Sequence, residues 1–237
     1  MFISTTRPTM MAMAAIVRLS FIALLLGGAV PALGAAAGPE RLPLKPVSVL
    51  GHLKPPPYPG HLGPELVPVP EGVPLLAEPA SAATPTKSVN GVKCQGMEQM
   101  AFHIHAHLVV FVNGKSRIVP YGIGIGPPLR GENTKAGSFV TQGSCFSWIH
   151  THAADGIIHL EGPAQRTYTL ADFFAIWGQP LSANQVGPAH GHVTALFNGK
   201  YWDGDPRRIP LLKHAQIQLE VGKPLIAPVE IKFYGSL

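Results

Sequence analysis

The chain has 237 residues, enough for one or two domains. It contains 18 lysines and arginines against 13 acidic residues, a formal charge of +5, together with 11 histidines. The basic residues are scattered and form no stripe interleaved with aromatic side chains, so the composition argues against nucleic-acid binding.

The first 37 residues have the order of a secretory signal peptide. Arg7 and Arg18 precede a short apolar run at residues 19–30, and small residues follow it. The run is shorter than the ~20 residues that a membrane-spanning helix needs, which favours a cleaved signal over a retained anchor. Cleavage after Ala37 fits an A-x-A pattern, and a cut after Gly34 is the alternative. We therefore predict a secreted or periplasmic protein with no stable membrane span after cleavage.

Residues 38–88 form a proline-rich segment, with a proline at about every fourth position. That spacing breaks helices and removes the amide donors that a strand needs in a sheet. We predict an extended, disordered linker, which either holds the domain away from a surface or wraps it. His52 and His61 repeat the tripeptide "GHL" in this segment and are expected to be solvent-exposed.

Residues 89–237 are predicted to form one α+β domain built mainly from antiparallel β hairpins. Strand-like segments rich in β-branched and aromatic residues are bounded by Gly, Pro, Asn or Asp at 102–112, 116–119, 145–152, 157–161, 193–197 and 217–221. One short helix is predicted over residues 170–177. Thr169 is its expected N-cap, Asp172 completes a capping box, and Gly178 marks its end.

Two similar stretches, "HAHLVVFVNGK" at 105–115 and "HGHVTALFNGK" at 190–200, align without gaps. Each ends in Asn-Gly-Lys, and Asn-Gly is the strongest short-range signal for a type I′ hairpin turn. We therefore predict turns at Asn113–Gly114 and Asn198–Gly199. His190 and His192 lie at a loop entry flanked by Gly and Pro, and are weaker metal candidates than the histidines described below.

Cys94 and Cys145 both lie outside the signal peptide. In an oxidising compartment two cysteines in one domain are more often a disulfide than two thiols. Such a bridge would close a loop of about 50 residues and would remove thiolates from the set of metal ligands. Two buried free thiols are the alternative.

The clearest chemical signal is "CFSWIHTHAADGIIHLE" at residues 145–161, which has the pattern of a strand, a turn and a second strand. A two-residue loop at 155–156 pairs His152 with His159, and a four-residue loop at 153–156 pairs His150 with His159. Because strand side chains alternate with period two, both registers place the same four side chains on one face. They are His150, His152, His159 and Glu161.

Three imidazoles and a carboxylate on one face predict a transition-metal site. Histidines two residues apart on a strand have Cα atoms about 7 Å apart. Their ring nitrogens can then reach one ion at ~2.0–2.1 Å. This donor set suits zinc or copper, and Glu161 is either a fourth ligand or a group that orients a histidine. The alternative is a set of ordinary strand histidines bonded to their neighbours.

The stretch "HIHAHL" places His103, His105 and His107 on one face of a single strand. A polar stripe of this kind is common on an outer strand that has no ligand. The predicted disulfide would hold the residues that precede this stripe next to the start of the hairpin at 145–161. We therefore expect His105 and His107, with His103 as a further candidate, to face the hairpin set. Six imidazoles would serve two metal ions, or three would be ligands of one ion and three would be supporting groups.

Four long blocks of the domain resemble a family of secreted or membrane-anchored prokaryotic His-rich proteins. They are "HIHAHLVVFVNGK", "CFSWIHTHAADGIIHLEGP", "YTLADFFAIWGQPL" and "VTALFNGKYWDGDPRRIPL", and they span nearly all of residues 89–222. The resemblance implies no particular activity. Relatives often carry an acidic residue directly after the second histidine of "HTH", where this chain has Ala153, so the resemblance gives no support to an extra carboxylate ligand.

Three functions follow from these patterns. The first is a secreted metal-binding protein that handles or sequesters copper or zinc through the histidine cluster, with the metal ion as its partner. The second is a metal-dependent hydrolase or oxidase that uses metal-bound water, with Glu161 or Asp155 as proton acceptor. The third is a disulfide-stapled interaction domain without metal. A pocket with an open coordination position favours the second function, a shallow exposed cluster the first, and dispersed imidazoles the third.

Overall fold

A computed structural model describes residues 41–57, 60–79 and 88–237. The predicted signal peptide, residues 1–37, lies outside the described residues. Within those ranges no helix is both long enough and apolar enough to cross a membrane.

The described residues form 17 strands, many of them only two residues long, and one α-helix, α1 (Leu170–Trp177). The strands are β1 (Leu44–Lys45), β2 (Cys94–Gln95), β3 (Phe102–Val112), β4 (Lys115–Arg117), β5 (Arg130–Thr134), β6 (Gly137–Gln142), β7 (Phe146–Ser147), β8 (Ile149–His150), β9 (Ile157–Gly162), β10 (Tyr168–Thr169), β11 (Leu181–Ser182), β12 (Gln185–Val186), β13 (Ala189–His190), β14 (Val193–Phe197), β15 (Lys200–Trp202), β16 (Pro210–Leu211) and β17 (Ala215–Val221).

The main sheet has eight strands in the order β1-β15-β14-β17-β3-β9-β8, with β4 also paired to β3. All neighbours in it are antiparallel except β3 and β17, which run parallel. The predicted fold, mainly antiparallel strands with a single short helix, is therefore confirmed for the described part of the chain. The long strand β3 lies between β17 and β9.

Both predicted hairpin turns are present. Asn113 and Gly114 have φ values of 51° and 73°, and Asn198 and Gly199 have 49° and 72°. A type I′ turn requires positive φ at both central residues, and Asn followed by Gly adopts it at low cost. These turns join β3 to β4 and β14 to β15, and so fix the register of both hairpins.

The helix α1 has the predicted bounds. The Asp172 carboxylate accepts a hydrogen bond from the Thr169 amide at 2.9 Å, and Gly178, with a φ of 72°, ends the helix. Phe173 and Trp177 are buried in the core, in one cluster with alternate side chains of β3, β9 and β17 such as Leu108, Leu160 and Leu219. Each such burial stabilises the fold by roughly 1.5–3 kcal/mol. The core therefore occupies one face of the main sheet and leaves the histidine face of β3 and β9 for the site.

The described part of the proline-rich segment lies against the domain. Leu44 pairs with Trp202 in the main sheet, Val67 is completely buried, and Glu65 is buried as well. These contacts correspond to a segment that wraps the domain rather than to a spacer. They differ from the disordered linker that the composition predicts. The difference arises because scattered Val and Leu side chains between the prolines have apolar surface to bury. The division of the chain at residue 88 stays a prediction.

Cys94 and Cys145 form a disulfide, as predicted, with Cα atoms 5.5 Å apart. The strand β2, which contains Cys94, pairs with β7 next to Cys145. The bridge therefore holds the chain that leads into β3 beside the chain that leads into β8, and it brings the two histidine runs to neighbouring positions.

Candidate metal centre

The three strands β3, β9 and β8 place one histidine each in a single row across the main sheet. His105 pairs with His159, and His159 pairs with His150. The next row holds His103 opposite Glu161. Because side chains alternate along each strand, all five side chains project from the face opposite the core. The register is the one given by a four-residue loop at 153–156.

A first set of donor atoms comes from β3 and β9. The Nε2 atoms of His103 and His105 lie 3.0 Å apart, and His105 Nε2 lies 3.1 Å from His159 Nδ1. Glu161 Oε1 lies 3.2 Å from His159 Nδ1 and 3.2 Å from His103 Nε2. The donor atoms of these four residues all lie within 4.8 Å of one another, so they can hold one metal ion.

A second set comes from the hairpin of β8 and β9. His150, His152, His159 and Glu161 also offer donor atoms that lie within 4.8 Å of one another. His150 Nδ1 donates to the Ser147 carbonyl at 2.8 Å, and His152 Nδ1 donates to the Val140 carbonyl at 2.5 Å. A carbonyl oxygen can only accept, so both protons are assigned to Nδ1. The two Nε2 atoms, 3.0 Å apart, are then left with lone pairs that face each other.

Burial keeps most of these imidazoles neutral. Burial, followed by the neighbouring His159 and His103, lowers the pKa of His105 to about 3. Burial, followed by the neighbouring His152 and His159, lowers the pKa of His150 well below its ordinary value. Burial and His159 also lower the pKa of His152. Neutral imidazoles are the form that binds metal ions.

His159 differs from its neighbours because it lies between two carboxylates. Its Nε2 donates to Glu65 Oε1 at 2.7 Å, while its Nδ1 lies 3.2 Å from Glu161 Oε1. Burial opposes the charged ring, but the hydrogen bonds to Glu161 and Glu65 outweigh it and raise the pKa of His159 to about 9. A carboxylate on one ring nitrogen of a histidine, with the other nitrogen directed at the ion, is the usual supporting arrangement of a metal ligand.

Two buried carboxylate oxygens in this cluster have no hydrogen-bond partner among the described residues. They are Oε2 of Glu161 and Oε2 of Glu65. Leaving a buried polar atom without a partner costs about 1–3 kcal/mol, and more for a charged group. Glu161 Oε2 lies 3.9 Å from His150 Nε2, which carries a lone pair and no proton and so cannot donate a hydrogen bond to it. A cation placed between these two acceptors would satisfy both.

A cleft of about 560 Å³ opens onto the cluster. Its wall includes His103, His105, His152, His159 and Glu161, together with Glu65, Glu98 and Phe139. Glu98 lies at its edge, with Oε1 3.4 Å from His152 Nε2, and both burial and the nearby Glu161 raise its pKa. The cluster is therefore buried on its sheet side and accessible from the cleft.

Two residues predicted to act at the site lie apart from both donor sets. His107 Nε2 donates to the Asp155 carbonyl at 3.2 Å, and burial lowers the pKa of His107 to about 4. The Asp155 carboxylate accepts from the backbone amides of Glu65 and Ile157, both at 3.3 Å. His107 thus supports the turn after β8, and Asp155 positions Glu65, so we leave both out of the proposed ligand set.

Sequence reasoning missed Glu65 and Glu98. Glu65 lies in the proline-rich segment, 94 residues from the histidine that it contacts, and no local pattern marks it. Glu98 lies in the loop between Cys94 and β3, and the disulfide was the only signal that this loop approaches the hairpin.

Comparisons with known proteins give no match to a protein-family model, to a curated protein or to a solved structure. The resemblance of the four sequence blocks therefore stays a prediction.

Proposed function

We propose that the protein is a secreted metal-binding protein that holds copper or zinc at the His/Glu cluster. The disulfide fits an oxidising compartment outside the cytoplasm. Imidazole nitrogens with a carboxylate oxygen are a donor set that both ions accept. The role that follows is the handling or sequestration of the ion.

The observation that carries this proposal is the pair of facing lone pairs on His150 and His152. Their Nε2 atoms lie 3.0 Å apart while both Nδ1 protons are held by backbone carbonyls. Two acceptors at this distance repel each other unless a cation binds both. Two nitrogens bonded at ~2.05 Å to a tetrahedral ion are separated by about 3.3 Å, close to the spacing found here.

The test is the number of ions bound by the full chain, purified without a polyhistidine tag and loaded with zinc or, separately, with copper. The double variant H150A/H152A is expected to bind one ion fewer per chain than the wild type. H190A/H192A is the matched control, since it removes an exposed His-x-His pair outside both donor sets. It is expected to leave the count unchanged. Equal metal content in all three proteins would refute the proposal.

The cleft favours a second function at the same centre, metal-dependent hydrolysis. Binding to an ion such as zinc lowers the pKa of water from 15.7 to about 7, and the cleft gives both water and a small substrate access. Glu161 and Glu98 are the carboxylates within reach as proton acceptors. Zinc-loaded protein would hydrolyse p-nitrophenyl acetate faster than free zinc does, and H150A/H152A would lose the difference. A rate equal to that of free zinc would exclude this second function for this substrate class.

A further inference from the structure

We propose that the cluster binds two metal ions and that the Glu161 carboxylate bridges them. This inference rests on the proposed metal binding and extends it from one ion to two. We call the two places the strand position, formed by His103, His105, His159 and Glu161, and the hairpin position, formed by His150, His152, Glu98 and Glu161.

Four distances between donor atoms of the strand position are close to the edge of a coordination tetrahedron. Four of the six distances between its donor atoms lie between 3.0 and 3.2 Å. The edge of a tetrahedron of nitrogen and oxygen donors around an ion at ~2.05 Å is about 3.3 Å. His159 contributes Nδ1 here, after the ion displaces the proton that this nitrogen shares with Glu161, since its Nε2 is held by Glu65.

The hairpin position has its own donors. The Nε2 atoms of His150 and His152 lie 3.0 Å apart, and Glu98 Oε1 lies 3.4 Å from His152 Nε2. Glu161 Oε2 lies 3.9 Å from His150 Nε2. The two imidazoles and Glu161 belong to one donor group, and Glu98 lies beside His152 at its edge as a further carboxylate.

The two pairs of histidines belong to different donor groups. The described residues give two donor groups, and neither group contains both the His103–His105 pair and the His150–His152 pair. A single ion in the strand position would leave the lone pairs of His150 and His152 facing each other at 3.0 Å, and a single ion in the hairpin position would leave the His103–His105 pair without an ion. Two ions satisfy all four nitrogens.

Glu161 is oriented as a bridge. Its Oε1 lies 3.2 Å from His103 Nε2 in the strand position, and its Oε2 points towards His150 in the hairpin position. Oε2 is buried and has no hydrogen-bond partner among the described residues. Two-metal sites in proteins place their ions about 3.5–4 Å apart, a separation that one carboxylate can span.

The charge of the cluster permits two ions. Among the described residues, the ion pairs of the Glu65, Glu98 and Glu161 carboxyl groups are with histidine nitrogens. Glu65 and Glu161 are buried, and a buried charge needs compensation. With neutral imidazoles and three carboxylates, two divalent ions would give a net charge of +1 and one ion a net charge of −1, so neither occupancy leaves a large net charge. The cleft borders both positions and gives each ion a route of entry.

The test is the number of ions bound per chain, by elemental analysis after zinc or copper loading and desalting of the full, untagged chain. We expect two ions in the wild type and in the control H190A/H192A. We expect one in H103A/H105A and one in H150A/H152A. A wild type with one ion, lost in H150A/H152A and retained in H103A/H105A, would overturn the two-ion centre and leave the proposed function standing. A wild type that binds none would overturn both.

His150 is fully buried, so a variant there risks failing to fold. H103A and E98Q are milder, because those side chains are 26% and 35% exposed. Each is expected to weaken one of two binding steps at least tenfold in a calorimetric titration and to leave the other step in place. Two unchanged steps in both variants would overturn the assignment of ligands.

Electron paramagnetic resonance of the copper(II)-loaded chain tests the bridge itself. Two ions on one carboxylate are expected to couple, so that the wild type shows less signal than its copper content requires. H103A/H105A, with one ion, is expected to show the full signal of an isolated copper. Two bound coppers with an uncoupled spectrum in the wild type would contradict the bridge.

Discussion

Adding zinc to the metal-free chain is expected to raise its thermal unfolding temperature strongly. The ligands come from β3, β8 and β9 and from the chain after β8. An unfolded chain cannot hold them together, so the free energy of metal binding adds to the free energy of unfolding. At a free zinc concentration about 1,000 times the Kd of a position, each bound ion stabilises the fold by about 4.1 kcal/mol. For a domain of this size, each kcal/mol raises Tm by roughly 2–4 °C, so one bound ion is expected to raise Tm by about 8–16 °C.

The assay is differential scanning calorimetry of the untagged chain after chelator treatment, with and without zinc. Glu161→Gln removes a carboxylate that belongs to both donor groups. Its affinity should fall at least about tenfold, or about 1.4 kcal/mol, which makes the zinc-induced shift at least about 3 °C smaller. H190A/H192A should keep the full shift. The reasoning is refuted if zinc leaves Tm unchanged, or if Glu161→Gln responds as strongly as the wild type.

Three further predictions concern the surroundings of the site. Glu65→Gln removes the carboxylate that lies 2.7 Å from His159 Nε2, and should weaken zinc binding about 10–100-fold in competition with a chromophoric chelator. The control Glu71→Gln, at an exposed residue, should keep the wild-type affinity. Equal affinities in the two variants would contradict the supporting role of Glu65. Replacing Cys94 and Cys145 together by Ser opens a loop with a sequence separation of 51, and should lower the free energy of unfolding in urea by about 4 kcal/mol; an unchanged midpoint would contradict this. Burial, followed by the nearby Glu65, raises the pKa of Asp155 from 3.8 to about 8, so the folded state holds a proton that the unfolded state releases. Its contribution to stability is present below about pH 4 and is lost as the pH rises to about 8. In urea titrations, the free energy of unfolding of the wild type should therefore fall between pH 5 and pH 9, and that of Asp155→Asn should fall less. An identical fall in the wild type and the variant would refute the assignment.

The sequence predicted the histidine row because its geometry is local. Period-two alternation places His150, His159 and Glu161 on one face for either even-length loop, and the structure has the register that the four-residue loop gives. The helix at 170–177 was predicted for the same reason, since Asp172 and Gly178 mark its two ends. Features that depend only on neighbours along the chain could therefore be derived.

The supporting carboxylates could not be derived because their positions depend on long-range packing. Glu65 reaches His159 only because the segment around Val67 buries its apolar side chains against the domain, which its proline content does not predict. The same limit explains His107. Alternation places His107 on the same face as His105. Its ring, however, is hydrogen-bonded to the Asp155 carbonyl at the turn, a contact that exists only in the folded loop.

The most direct test of the metal centre is an anomalous difference map from crystals of the untagged chain grown with zinc and measured at the zinc edge. We predict a peak bonded to Nε2 of both His150 and His152 at about 2.0–2.1 Å, with a Glu161 oxygen as a further ligand. A map with no peak between these two nitrogens, in a crystal where the zinc concentration far exceeds that of the protein, would contradict the account.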